Sequence, residues 1–302
     1  MRCFSSPRYF VPLPAGHVFP MVKFPRSVEM LVADATLPGG PVDPGVADEA
    51  TLRRVHTAGY VASIRTGDFH GLTARKLGLP PSEALWVRSR SAVAGTLSAA
   101  RAALADGLAC NLAGGTHHAF ADSGQGFCVF NDVAIAVDTL RDDEPYLQVL
   151  VVDVDAHQGN GTHALLAGDR SSFTYSLHVG KNYPSLKVPG DLDVPLERWA
   201  SSAAYFAALE ATLPGVVEHF EPDLAFVLAG VDPHERDRFG QMRLTDADLV
   251  RRDTWVLDLL RDQGVAVAWL YSGGYQPEHE RTAHLHAEGV RVCRARFDRE
   301  RR

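Results

Sequence analysis

The sequence predicts an α/β protein: one domain over residues 1–302, built on a central, mostly parallel β-sheet flanked by helices. Three observations carry that expectation. Short apolar, β-branched runs alternate with Ala- and Leu-rich stretches along the whole chain, the order of a parallel sheet with helical crossovers. No repeat, low-complexity tract or linker breaks the alternation. Four of the apolar runs end in glycine and polar or ionisable groups: Gly115/His117/His118, Asp155/His157, Gly230/Asp232 and Gly274/Tyr275. Ligands of open α/β sheets bind outside the carboxyl ends of the strands, so these ends are where the chemistry is expected.

Taken in order, residues 1–25 carry Pro7, Pro12, Pro14, Gly16, Pro20 and Pro25 and read as mostly irregular backbone. A short helix is expected over 24–35, a loop over 38–45, and helical pieces over 47–55 and 59–65 on either side of His56. Residues 82–109 are long and Ala/Leu-rich enough for one or two buried helices, with Ser82 and Glu83 as the start signal. A short strand from Cys110 runs into Gly114-Gly-Thr-His-His118, and the segment 124–132 leads into a helix over 132–140. The apolar run 148–152 reads as a buried strand, followed by a helix near 161–167 and a strand over 172–179. A helix over 200–220 is expected to be interrupted at Pro214, and a strand follows over 223–229. Thr245 opens a helix to about 262, with Asp248 three residues on as a capping-box variant. The last strand, 265–270, ends in Ser272-Gly-Gly-Tyr275.

Charge and cysteine usage narrow the function classes. A net charge of −7 gives no basic footprint for nucleic acid, and a mildly acidic surface tolerates cationic substrates such as lysine-bearing peptides or polyamines. Cys3, Cys110, Cys128 and Cys293 lie far apart, which argues against a disulfide framework or a cysteine zinc site and fits a reducing cytosol. No apolar signal core or membrane-length run is present, so the expected location is cytoplasmic, with no membrane partner. Nothing in the sequence sets the oligomeric state.

The stretch Leu150-Val-Val-Asp-Val-Asp-Ala-His-Gln-Gly-Asn-Gly161 is the centre of the chemistry. While the chain stays extended, positions 153, 155 and 157 point the same way. Two carboxylates and an imidazole at the mouth of a buried strand are costly to desolvate unless something pairs them, and a divalent metal does so. A lone Asp-x-His is more often a helix cap beside a hydrogen-bonded histidine; three further strand ends with matching chemistry favour the metal. Asp155, His157 and Asp232 as ligands leave an open position, the layout of a catalytic site. Two carboxylates blunt the acidity of the ion, so a general base is needed nearby, and His117-His118 is available. Tyr275, after Gly274, is placed to donate to a developing oxyanion. Phe127, beside Gly126, is a candidate wall for a narrow apolar channel. His284 and His286 fall on a helix, where i and i+2 do not face each other, and are assigned no metal.

Through these residues the chain resembles the zinc-dependent histone deacetylase family. The motifs are Gly114-Gly-Thr-His-His-Ala119, Gly126-Phe-Cys-Val-Phe-Asn-Asp132, Asp153-Val-Asp-Ala-His-Gln-Gly-Asn-Gly161, Ala229-Gly-Val-Asp232 and Ser272-Gly-Gly-Tyr-Gln276, in the family's order, with His56 and Tyr60 fitting upstream. The wording is most similar to the class IV branch and its bacterial relatives. The resemblance implies the arginase/deacetylase-like fold and hydrolysis of acyl-lysine amides on a peptide or protein. It implies one zinc per chain on Asp155, His157 and Asp232, with His118 as general base and acid and His117 as its electrostatic partner oriented by Asp153. It also implies Tyr275 as the group that polarises the carbonyl, and a structural potassium on Asp153, Asp155, His157, Ser176 and Leu177. The sequence departs from many members at Asn160, behind His118, where an aspartate is common.

Three rival readings compete with this one. Two-manganese ureohydrolases need a carboxylate where Gly159 stands; His234, two residues after Asp232, is a candidate to recruit a second metal, but the adjacent Pro233 and the missing carboxylate argue against it. An acetylpolyamine amidohydrolase shares the chemistry with a different substrate. A non-catalytic metal-binding scaffold is disfavoured because His118 and Tyr275 are both present. The rim elements (the N-terminal segment, 181–190 and 234–240) are short, which favours a peptide-borne acyl-lysine. Phe127, Tyr183 and Leu186 are candidates to line a pocket for acyl chains longer than acetyl.

Overall fold

Seven parallel strands hydrogen-bond side by side in a computed structural model that describes residues 1–301. They are β1 (Arg2–Phe4), β2 (Leu108–Asn111), β3 (Val149–Asp153), β4 (Ser172–Val179), β5 (Leu192–Leu196), β7 (Leu224–Leu228) and β9 (Ala266–Leu270), in the order β1-β2-β9-β7-β3-β4-β5. A separate parallel pair joins β6 (Ala200–Ser201) to β8 (Met242–Arg243). The helices are α1 (Lys23–Ala33), α2 (Glu49–Leu52), α3 (Ala58–Thr66), α4 (Gly71–Leu77), α5 (Glu83–Asp106), α6 (Asp132–Leu140), α7 (Asn160–Leu166), α8 (Ser202–Phe220), α9 (Asp246–Asp262) and α10 (His279–Glu300).

The sheet splits the core into two layers, and the two-residue period of each strand shows how. Val149 and Val151 of β3 pack with Ala99, Ala103, Val133 and Val137 from α5 and α6. Leu150 and Val152 pack on the opposite face with side chains from α8, α9 and α10. Every residue of β3, β7 and β9 is buried, which is why these runs are almost unbrokenly apolar rather than alternating. Their neighbourhood decides the function. Strands β2, β9, β7 and β3 are consecutive in the sheet, so the four chemistry-bearing ends emerge side by side on one edge.

The expected helix over 132–140 and strand over 172–179 coincide with α6 and β4. Ser82 caps α5, accepting the Leu85 N–H at 3.0 Å, and α5 is one helix rather than two. The Thr245/Asp248 capping box forms as anticipated. The N-terminal segment is mostly irregular, as expected, but β1 pairs with β2, Cys3 opposite Cys110. Two expectations need correction. The expected helix over 47–55 shrinks to α2. Helix α8 continues through Pro214, because Leu209 and Leu213 before it and Val216 and Val217 after it are all buried. Packing on both sides outweighs the single backbone bond that proline removes.

Candidate active site

Strand β3 ends at Asp153, and the next turns bring Asp155 and His157 against Asp232, which follows β7. The donor atoms of Asp155, His157 and Asp232 lie within 4.8 Å of one another, and all three residues are buried. His157 Nδ1 stands 3.0 Å from Asp155 Oδ1 and 2.9 Å from Asp232 Oδ2. The outer oxygens are fixed from behind. Asp155 Oδ2 accepts from Ser272 Oγ at 2.9 Å and from the Gly273 N–H at 2.8 Å, and Asp232 Oδ1 accepts from the Ala156 N–H at 2.9 Å. A side chain at residue 273 would put Cβ 2.3 Å from Asp232 Oδ2, so only glycine lets the backbone come this close.

The donor set fits a divalent cation. Burial opposes charge on His157, yet its hydrogen bonds to Asp155 and Asp232 outweigh that and hold it protonated well above the ordinary imidazole range. Burial and the Asp155 charge push Asp232 up to about 7. Without a cation, His157 and Asp232 thus hold protons more tightly than usual at the point where a cation's charge would sit, and metal ligands bind deprotonated. Two carboxylates and a neutral imidazole balance one dication. Among the described residues this is the single cluster of its kind. His234 is committed elsewhere, with Nε2 2.9 Å from Asp246 Oδ1. At position 159, a Cβ would lie 2.5 Å from Asp153 Oδ2, so no carboxylate for a second metal fits there. His286 stacks on Tyr271 within α10's packing face, while His284 points outward near Glu288.

The histidine pair follows β2 through two left-handed glycines, Gly114 (φ 80°) and Gly115 (φ 72°). Asp132 holds this turn by accepting the N–H groups of Gly115 at 3.0 Å and Thr116 at 2.7 Å. The rings of His117 and His118 lie 4.1 Å apart between centroids. His117 Nδ1 is 2.6 Å from Asp153 Oδ2, and His118 Nδ1 is 2.8 Å from Asn160 Oδ1. Burial pulls His117 toward neutrality, but the charges of Asp153 and Asp155 and the bond to Asp153 raise its pKa to about 9. Burial and the neighbouring charges of His117 and His157 drive His118 well below its ordinary range. With Nδ1–H given to the amide oxygen, Nε2 of His118 is the basic nitrogen.

A cavity of about 300 Å³ opens onto this centre, lined by His118, Gly126, Phe127, His157, Tyr183 and Tyr275 among others. A Cβ at residue 126 would fall 2.6 Å from the His118 ring, and Tyr183 stands edge-on to that ring at 4.9 Å. Gly274 adopts φ 147°, where a side chain would strike Val231. Tyr275 packs against Phe127 and Phe239 at 5.6 and 5.3 Å. Leu186 does not line the cavity: it is 81% exposed, because its loop turns its side chain to solvent. Behind the cavity a recess of about 30 Å³ is bordered by Lys23 and Arg88. Lys23 Nζ donates to the Ser272 carbonyl at 3.0 Å, and burial and Arg88 lower its pKa to about 8. Ser176, inside β4, stands opposite Asp153, the last residue of β3, with Leu177 next in the chain and Asp155 and His157 just beyond β3. His56 and Tyr60 are pegs for the loop between them and the site: His56 Nε2 accepts the Asn131 N–H at 3.0 Å and Tyr60 donates to the Val129 carbonyl at 2.6 Å.

Sequence reasoning missed Asp237, whose Oδ2 accepts the Tyr275 N–H at 2.6 Å while Oδ1 accepts those of Phe239 at 2.8 Å and Gly240 at 3.1 Å. It named Ser272 within a motif but gave it no role, and it missed Lys23 and Arg88. An aspartate in the same polar strand-end segment as Asp232 was a usable signal for Asp237; nothing local to Lys23 on α1 or Arg88 on α5 points to the site.

Paired histidines and an Asp-His-Asp cluster that could hold a metal converge on one cavity at the strand ends of a parallel sheet, the arrangement a hydrolase of the deacetylase type needs. The chain is a member of the histone deacetylase family, whose domain matches residues 17–290. It is 40% identical over 270 residues to an uncharacterised protein of Picosynechococcus sp., spanning 89% of this chain and 90% of that one. Histone deacetylase 2 of Arabidopsis thaliana is 27% identical, over 88% of this chain and 71% of its own. The acetoin utilization protein AcuC of Staphylococcus aureus is 30% identical, over 76% of this chain and 64% of its own length. The crystal structure of the HDA15 HD domain superposes with a TM-score of 0.81 at 22% identity, covering 98% of this chain and 89% of that one, and so shares its fold.

Proposed function

We propose that the protein is a zinc-dependent lysine deacylase that hydrolyses the amide of an acyl-lysine carried on a peptide or protein. The observation that supports it most is the meeting of His118, His157 and Tyr275 on one cavity walled by Phe127 and Tyr183. Asp155, His157 and Asp232 would hold the zinc, which when bound supplies Lewis acidity to the attacking water and the amide oxygen. His118 takes the water proton at Nε2 and returns it to the leaving amine. His117, kept protonated by Asp153, places positive charge beside that transfer. Burial pushes the Tyr275 phenol well above its ordinary range, so it stays protonated and donates to the amide oxygen as charge develops there. Gly126 and Gly274 leave room for the chain and the ring, and Asp153, Asp155, His157, Ser176 and Leu177 are the proposed potassium ligands.

The small rear recess with its two cations supports an acetyl-sized group, and the longer-chain expectation has lost Leu186 as a lining residue. Four free, buried cysteines suit a reducing cytoplasm, and no described helix is long and apolar enough to cross a membrane. The Asp-Ala-His-Gln-Gly-Asn-Gly wording supports a place in the class IV branch. The test is a matched series of acetyl-, butyryl- and octanoyl-lysine peptides against acetylspermine and acetylputrescine, with zinc-loaded protein. Acetyl-lysine peptides are expected to be turned over fastest; a clear preference for acetylpolyamines would replace this reading with the amidohydrolase alternative.

A further inference from the structure

The mouth of the cavity carries three cations, Arg75, Lys76 and Arg238, and no carboxylate is among its lining residues. All three are exposed, so they meet the part of a substrate that stays outside the channel. They come from two separate elements, the last turn of α4 and the loop after β7. Both elements are tied to the channel wall by backbone hydrogen bonds. Gly126 donates to the Lys76 carbonyl at 2.9 Å, and Phe127 to that of Leu77 at 2.8 Å. Arg238 donates its N–H to the Tyr275 carbonyl at 3.3 Å. The backbone that carries these charges is thus anchored to the channel wall.

Among the described residues these cations pair with no carboxylate, unlike the arginines of α10. On α10, Arg291, Arg294, Arg296 and Arg299 each meet a carboxylate. Arg236, two residues before Arg238, reaches Glu278. Arg75 Nε reaches only the Gly71 carbonyl, at 3.4 Å. The protein as a whole carries a net charge of −7, so a positive entrance is not a by-product of a basic chain. A cleft lined by one sign of charge concentrates ligands of the other sign.

We infer that the preferred substrate presents carboxylates around its acyl-lysine, and that Arg75, Lys76 and Arg238 select for them. The inference rests on the deacylase reading of the site and names its substrate class. It runs against polyamines, whose ammonium groups the entrance repels. Within a peptide the carboxylates are aspartate or glutamate side chains flanking the modified lysine; in free acetyl-lysine there is only the α-carboxylate.

The experiment uses zinc-loaded full chain and end-capped acetyl-lysine peptides that differ only in flanks of Asp/Glu, Ala or Lys/Arg, with free Nε-acetyl-lysine alongside. Turnover gives kcat and KM, and fluorescence anisotropy gives Kd. Acidic flanks are expected to exceed basic ones by about tenfold in kcat/KM at low salt, through KM, as steering effects of this kind do. The gap should close in high salt and invert in the triple variant Arg75→Glu, Lys76→Glu, Arg238→Glu, whose melting temperature and metal content check its fold. Tighter use of free acetyl-lysine than of acidic peptides would keep the carboxylate and change its carrier. Equal use of all flanks, or preference for basic ones, overturns the inference while turnover upholds the deacylase. Charge-selective binding without turnover of any peptide does the reverse.

Discussion

His117 faces a carboxylate and His118 an amide, although one peptide bond joins them and both are buried in the same turn. Burial pulls each imidazole toward the neutral form; at His117 the charges of Asp153 and Asp155 and a 2.6 Å contact with Asp153 outweigh it and raise the pKa to about 9. At His118 a 2.8 Å contact with Asn160 orients the ring without adding charge, and the positive neighbours lower the pKa further. The difference between one oxygen and one NH₂ group in the partner divides two like residues into one held protonated and one held neutral. Asn160, where the sequence departs from the family's common aspartate, thereby sharpens the division.

The contrast can be broken at either histidine. The largest effect is expected from His118→Ala, which should lower kcat by about 10²–10⁴-fold with zinc content unchanged, because the base is not a ligand. Elemental analysis beside steady-state kinetics checks it, and near-normal turnover would place the proton transfer elsewhere. Asp153→Asn should cost about 10²-fold in kcat, since His117 loses the charge that keeps it protonated. The same variant has a signature in the metal-free protein. A pKa raised from the ordinary 6.5 to about 9 contributes stability that is full below 6.5 and lost as pH rises through 9. Wild type should therefore exceed Asp153→Asn in melting temperature at pH 6.5 by more than at pH 10; a constant difference would mean the loss is one of packing. The smallest effect is expected from Asn160→Asp, which gives both histidines carboxylates. The acid limb of the kcat/KM profile should move up by about one pH unit with less than tenfold change at the plateau. An unmoved limb would mean that Asn160 acts on His118 by orientation alone.

Much of this site was legible because its signals are local. An apolar run ending in glycine and a polar or ionisable group marks a candidate strand end, and the fold set four such ends side by side. What stayed hidden depends on approach over distance. Lys23 reaches the Ser272 carbonyl across 249 positions of chain, and no pattern near either residue announces it. Strand β1 has only three residues and owes its place to β2. Strand β5 contains Pro195 and lies at the sheet edge, where a missing N–H is tolerated. Leu186 misled because apolarity says nothing of which way a loop turns.

Asp237 gathers the N–H groups of Tyr275, Phe239 and Gly240 on one carboxylate, while Arg238 returns a bond to the Tyr275 carbonyl. Mechanically this is a rivet through two plates: the strip of chain that meets the substrate at the entrance and the strip that carries the phenol cannot slide past each other. A push on one is delivered to the other. Lengthening the entrance strip, the ordinary way a surface loop acquires a new specificity, would therefore disturb the phenol and be felt in kcat before KM. Diversification of this enzyme is steered toward exchanging side chains such as Arg238 in place, with the length of the loop held fixed.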